Sequence, residues 1–406
     1  MPSVVFVAPF LMPATARFAM AAATLPGVRV GLITQDPAAK IPPQLAAAIT
    51  AHRRVDNAFD PVKLAEAARA LAGQIGGLDR LMGALEQLQV PLAQAREILG
   101  VEGMGVEAAK NFRDKARMKT VLQAAGLPCA RHRLVHSTGE ALAFAQEVGF
   151  PLVVKPPDGA GAKATFRVAA LPALEDALKA NPPAPGRPVL LEEFMTGDEY
   201  SLETISINGQ AVWTSFTRYL PTPLEALHNP WIQWCVLLPR EREDPRFDDV
   251  REVGAKVLRA LGMGTGLSHM EWFRRRDGSI AVSEIAARPP GAQITTLVSV
   301  AHEFDLLSAW ARLMVYGEFN PPPRKWAAGA AFFRGAGSGR VKMVHGLEQA
   351  QKELGPLVVE AKLPTPGAPK ADTYEGDGYA LLRHESTEAV FKALMRLVSL
   401  VRVEYA

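Results

Sequence analysis

What this chain lacks already narrows its class. Its 406 residues hold two cysteines, Cys129 and Cys235, far apart. So sparse a usage leaves no disulfide framework and no structural zinc site, and it suits a reducing, cytoplasmic setting. Both thiols read as small buried apolar residues. No charge of one sign dominates either: 45 Lys and Arg stand against 42 Asp and Glu, a net charge of +3. A nucleic-acid partner needs a basic excess that is missing here. Nowhere do about 18 apolar residues run together, so no membrane-spanning helix is expected. The apolar start at residues 4–8 has no basic flank and is too short for a signal core. After the first strand stands Pro9-Phe10-Leu11-Met12-Pro13 where a dinucleotide site would need G-x-G-x-x-G.

What remains is the composition of a globular protein long enough for two or three domains with ordinary cores. The pattern predicts strands at 3–8 and 28–34 around a helix at 15–23, then a helix at 63–75, a strand at 78–85 and a helix at 91–99. This is a small doubly wound α/β domain over residues 1–110, with Glu86 at a strand end facing a cleft. A basic helix is expected at 111–123 and another helix at 140–148. Beyond 205 the signals are a hairpin across Asn208-Gly209, an irregular stretch at 218–239, and helices at 247–261 and 294–316. Strands at 327–333, 357–362 and 378–382 and a helix at 388–401 form a closing segment after Pro321-Pro322-Pro323.

Between these lie the chemistry-bearing stretches. A strand at 151–155 ends in Lys155 and runs into Pro156-Pro157-Asp158-Gly159-Ala160-Gly161-Ala162-Lys163-Ala164-Thr165, with a returning strand at 166–168. Small residues in such a loop let backbone amides approach an anion, and Lys155 points to the same charge. The strand at 188–195 ends in Glu192-Glu193-Phe194-Met195, and Gly197-Asp198-Glu199 follows. A strand leading into a short linker offers backbone groups to a planar base, and Glu199 can accept from hydroxyls. The run from His269 to Gly291 reads as a hairpin across Asp277-Gly278. Glu271 lies six residues before that turn and Glu284 six after it, so the two carboxylates come out opposite each other. Carboxylates this close repel unless a cation lies between them or one is protonated, and hard divalent ions favour such oxygen ligands. Arg288-Pro289-Pro290-Gly291 then leaves the sheet with a fixed positive charge.

In this order and spacing, the features from Asn111 to Gly291 resemble the ATP-grasp superfamily, in its carboxylate-amine ligase branch. The resemblance implies an ATP-grasp fold, α/β and α+β in several parts. An N-terminal α/β domain (1–110) precedes a small lid subdomain (111–190), a large subdomain with the ATP site (191–320) and a C-terminal closing, β-rich segment (321–406). It implies ATP with magnesium or manganese. Lys115, Lys155, Gly159, Gly161 and Lys163 look like the phosphate-holding residues. Glu192, Glu193, Phe194 and Met195 look like the adenine linker, and Glu199 like the ribose acid. Glu271 and Glu284 look like the metal ligands, and Arg288, with Lys155, like the catalytic cations. Two departures stand out. Ala286 occupies the place of a usual Asn ligand, and Ala160, Ala162 and Ala164 make the loop poorer in glycine.

The chemistry so implied is attack of a carboxylate on the γ-phosphate, giving an acylphosphate that an amine then opens. Ser268-His269-Met270-Glu271 and Glu284-Ile285-Ala286-Ala287-Arg288 look similar to ligases that join amino acids. Arg218, Tyr219, His228, Trp231, Trp234, His269 and Arg288 are the candidates for lining the acceptor pocket. Small-molecule carboxylates and amines are the expected partners, and the family's frequent dimers allow a homodimer. Two other readings fit the motifs: a biotin-carboxylase-like or purine-biosynthetic carboxylase, and an ATP-binding module with little turnover.

Overall fold

The computed structural model describes residues 1–157 and 165–406. The N-terminal strands β1 (Ser3–Val7), β2 (Arg29–Thr34), β3 (Ala51–Arg54) and β4 (Arg80–Met82) form a parallel sheet in the order β3-β2-β1-β4. Every residue of β1 is buried, as expected of a strand covered on both faces by crossover helices. The helix Pro61–Ile75 packs one face and is capped by Asp60, whose carboxylate accepts from Val62 and Lys63 N–H. The expected strand at 78–85 is shorter, Arg80–Met82, and residues 86–88 turn into the helix Gln89–Leu99.

Four antiparallel strands make the second sheet: β5 (His132–Val135), β6 (Leu152–Lys155), β7 (Phe166–Val168) and β8 (Val189–Glu193), in the order β5-β8-β6-β7. The helices Thr138–Val148 and Leu171–Ala180 give it a core of its own. Ahead of it, the single helix expected at 111–123 is two, Val106–Arg113 and Lys115–Ala124. Asp114 interrupts them, because its extended backbone and its carboxylate on Ala116 and Arg117 N–H make it an N-cap.

The third sheet is the framework of the site. It contains β9 (Asp198–Ile207), β10 (Gln210–Leu220), β11 (Trp234–Leu238), β12 (Gly266–Arg274), β13 (Ile280–Ala286) and β14 (Ala327–Phe333). After β15 (Val341–His345) come β16 (Val358–Lys362), β17 (Gly378–His384) and β18 (Arg402–Tyr405), and the order is β13-β12-β9-β10-β11-β14-β17-β16. The segment after residue 321 thus joins this sheet through β14, β16 and β17, while β15 and β18 pair separately. Asn208 and Gly209 turn β9 into β10 with positive φ at both, as their sequence predicts. The stretch 218–239, expected to be irregular, carries the end of β10, a short helix Pro223–His228 and β11. β11 is Trp-Cys-Val-Leu-Leu, five buried residues between β10 and β14, so its apolar run has no alternation to reveal it. The helix expected at 294–316 breaks at Glu303, in left-handed conformation, and restarts behind Asp305 as Leu306–Tyr316. No helix among the described residues is long and apolar enough to cross a membrane.

Candidate active site

One face of the large sheet is apolar and the other carries charge. Leu202, Phe216, Met270 and Trp272 turn to the helix Asp248–Leu261, with Tyr200 stacked on Trp272 at 4.9 Å. The alternate residues Glu199, Tyr219, His269 and Glu271 turn to a cavity of about 840 Å³ between the three sheets. Glu271 is paired in register with Glu284. At the tip of this hairpin the register is Arg274 to Ile280, one residue off a count from Asp277-Gly278. A bulge at Ser283 restores it, which places Val282 and Ile285, three apart, on the same apolar face and Glu284 opposite Glu271.

Cations meet these acids from the other elements. Lys115, first residue of its helix, reaches Glu284 Oε1 at 3.0 Å. Burial pushes the Glu284 carboxyl up, but Lys115, Lys155 and Arg288 outweigh it and hold it down at about 2. Lys155, ending β6, lies 2.9 Å from Glu192 Oε2. The Glu192 carboxylate is buried and is shared with Lys119, which is 0% exposed and 3.5 Å from Oε1. Burial raises the Glu192 carboxyl, yet the two lysines bring it below its ordinary value. Arg288 lines the cavity and is held by Glu86 of the N-terminal domain, at 2.5 Å.

At the far end, Glu193, Phe194 and Met195 line the same space. The Glu193 side chain is clamped by Arg131 at 2.8 Å and Arg275 at 2.9 Å, and Phe194 carries the Arg167 guanidinium 4.4 Å above its ring. Glu199 is buried, and burial together with the Glu271 charge pushes its carboxyl well up. Gly197 brings Glu199 into place: a Cβ there would lie 2.1 Å from Arg274 O. His269 Nδ1 meets Glu203 Oε1 at 2.8 Å, and its Nε2 lies 3.4 Å from the Tyr219 hydroxyl. Burial opposes charge on this imidazole, but Glu203 and Glu271 raise it to about 9.

The expected residues therefore converge with few exceptions. Lys115, Lys155, Glu192–Met195 in sequence order, Glu199, Glu271, Glu284, Arg288, His228 and His269 all line one cavity. Gly159, Gly161 and Lys163 lie outside the described residues. Two acceptor-pocket candidates are corrected. Arg218 turns away to pair with Asp198 at 3.1 Å, and Trp231 is 64% exposed beyond the cavity wall. Glu192, expected in the adenine linker, puts its carboxylate between Lys119 and Lys155 instead. The residues that sequence reasoning missed are the supports: Lys119, Arg131, Glu203, Arg275 and Tyr374. Only two of them carry a signal in periodicity, Lys119 falling one helical turn after Lys115 and Glu203 on the face of Glu199.

The donor set suits a divalent cation. Glu271 and Glu284 oppose each other beside buried Glu199, and their charges add to burial in pushing the Glu199 carboxyl up. Among the described residues no group of three or more His, Cys, Asp or Glu is gathered to hold an ion. A pair of carboxylates of this kind fits magnesium, which keeps waters and shares phosphate oxygens rather than filling a protein cage.

A model of the ATP-grasp domain matches residues 120–303. Over 297 residues the chain is 25% identical to an L-arginine-specific L-amino acid ligase of Bacillus subtilis, covering 71% of this chain and 70% of that one. It is also 27% identical over 320 residues to the carbamoyl phosphate synthase large chain of Deinococcus radiodurans. That match covers 73% of this chain but spans 30% of the longer protein. The crystal structure of an L-amino acid ligase from Bacillus licheniformis superposes on 100% of this chain and 99% of its own, with a TM-score of 0.78 at 20% identity. This last likeness carries the fold.

Proposed function

Because this chain carries an ATP-grasp domain within an ATP-grasp fold, we propose that it is an ADP-forming ligase joining a carboxylate to an amine through an acylphosphate, with amino acids as substrates. The observation that supports this most is the meeting of Glu271 and Glu284 with Lys115, Lys155 and Arg288 in one cavity, beside the Glu193–Met195 linker in sequence order. The linker and Glu199 take the nucleoside, and Lys115 and Lys155 take its phosphates. Glu271 and Glu284 would hold magnesium, which supplies neutralisation of charge on the transferring phosphate oxygens. The substrate carboxylate attacks the γ-phosphorus and ADP leaves. The amine then attacks the acyl carbon, and phosphate departs. Arg288, steadied by Glu86, stabilises the charge on the group in transit. Similarity to an L-amino acid ligase over 71% of the chain favours amino acids.

A phosphate-release screen over amino-acid pairs, dicarboxylates and bicarbonate tests this, run beside Glu284→Ala. The expected result is release that requires an amino-acid pair and falls about a hundredfold or more in the variant. Release that requires bicarbonate instead means a carboxylase. Full activity in Glu284→Ala removes the metal-site assignment.

A further inference from the structure

A second cavity, of about 430 Å³, lies behind the first, between the N-terminal domain, the Asn208 turn and the end of the helix Leu306–Tyr316. Arg288 and Pro289 line both cavities. On the N-terminal side its wall is Arg96, 7% exposed, on the helix Gln89–Leu99. The Arg96 Nε donates to Leu81 O at 2.8 Å. Its two Nη groups have no hydrogen-bond partner among the described residues, and neither is sealed from the cavity. No carboxylate among the described residues pairs with it, and burial alone brings its pKa down to about 10. The side chain is fixed in place from above, since a Cβ on Gly103 would lie 2.7 Å from Arg96 Cδ.

A guanidinium buried to this degree and left without an acid is costly, and proteins ordinarily pair it. The other charges of the cavity do not supply the partner. Arg80 is bound to Glu102 at 3.1 Å, where Glu102 is an exposed rim residue, and Arg288 is taken by Glu86. The wall is thus net positive, and its planar fork of free N–H groups matches a two-oxygen anion.

We propose that this second cavity is a binding site for a small molecule bearing a carboxylate or a phosphate, with Arg96 as its anchor. Such a ligand bridges the N-terminal domain to the Arg288 segment from the side opposite the active site. The test uses the full chain loaded with magnesium and a non-hydrolysable ATP analogue, so that the phosphate positions of the first cavity are filled. Inorganic phosphate and, separately, malonate are titrated in by calorimetry. The expected result is one equivalent of anion bound to the loaded chain, weakened at least ~tenfold by Arg96→Met, which corresponds to about 1.4 kcal/mol. Gln89→Glu is the second variant. Gln89 lies two turns before Arg96 and lines the same cavity, so a carboxylate there repels the ligand without removing the anchor. It should also weaken binding, with circular dichroism unchanged. Preference for phosphate or for malonate identifies which group the natural ligand carries. Absence of binding by both anions to the loaded chain, or binding that neither variant alters, overturns the proposal. Should the analogue itself fail to bind, the difference in anion count between wild type and Arg96→Met still decides it.

Discussion

Replacing Lys119 by methionine tests how the cation row of the first cavity is held. The ammonium is 3.5 Å from Glu192 Oε1 and donates to Ser283 O at 2.7 Å. Methionine keeps the length and fills the volume, so a cavity contributes little. At an effective dielectric of about 20, unit charges 3.5 Å apart attract by about 5 kcal/mol, and the ammonium's own desolvation offsets part of that. Removing one partner of a buried pair costs ~3–5 kcal/mol, because the other stays buried and uncompensated. Lys155 still faces Glu192 at 2.9 Å, which points to the lower end of that range. Loss of the donor to Ser283 O adds about 1 kcal/mol. The expected cost is therefore about 4 kcal/mol. Denaturant unfolding of Lys119→Met, Glu192→Leu and the double variant measures it. Because both charges are gone in the double variant, its loss should fall well below the sum of the singles. Additivity within ~0.5 kcal/mol refutes the pairing. Nucleotide affinity should also fall in Lys119→Met alone, since Lys155 is then drawn wholly to Glu192.

Glu86→Gln keeps the shape but removes the charge that holds Arg288 at 2.5 Å. The expected outcome in steady-state kinetics is kcat lowered about tenfold, ~1.4 kcal/mol, with nucleotide affinity unchanged. An unchanged kcat would sink the role given to that bridge. His302 concerns stability. Its Nδ1 donates to Pro322 O at 2.6 Å and its Nε2 accepts from Arg324 Nε at 3.1 Å, an arrangement only neutral imidazole can make. Burial brings it down to about 4 from an ordinary value of 6.5. The unfolded chain therefore takes up the proton first, so stability is full above pH 7, declines as pH falls through 6.5 and levels off below 4. Between pH 7 and pH 5 the loss is about 2 kcal/mol. His302→Asn should flatten that part of the stability-pH curve, and an unaltered slope would count against the tautomer.

Sequence reasoning names residues that the fold gathers into one cavity and gives the fold class, but it misses several elements and most of the supporting side chains, for a physical reason. Lys155, Glu199, Glu271, Glu284 and Arg288 stand in stretches that residue type and spacing single out, the resemblance to the ATP-grasp superfamily adds Lys115, and the fold brings all six to one cavity. Most of the supports carry no such mark. Arg131 and Arg275 come from residues 62 and 82 positions away from Glu193 and meet only on its carboxylate. Strand β11 was hidden because burial on both faces erases alternation, and the helix break at Asp114 because a capping aspartate resembles any surface acid. Arg218 and Trp231 were drawn in by residue type alone, and exposure and an ion pair with Asp198 set them outside.

The opposition of Glu271 and Glu284 was reached by counting outward from Asp277-Gly278, and the count is right through two offsets that cancel. The loop closes one residue away from a two-residue turn, with Arg275 N–H on Ser279 O, and Ser283 inserts the residue that corrects it. Without the bulge, Ser283 would face Glu271 and Glu284 would turn to the apolar side, because a slip of one residue reverses every side chain beyond it. The Ser283 carbonyl is where Lys119 donates, from a helix more than 150 positions earlier. Lys115 of that helix holds Glu284 one residue farther on. The helix Lys115–Ala124 therefore serves the site twice: its first residue meets the carboxylate, and its buried lysine braces the backbone irregularity that aims the carboxylate.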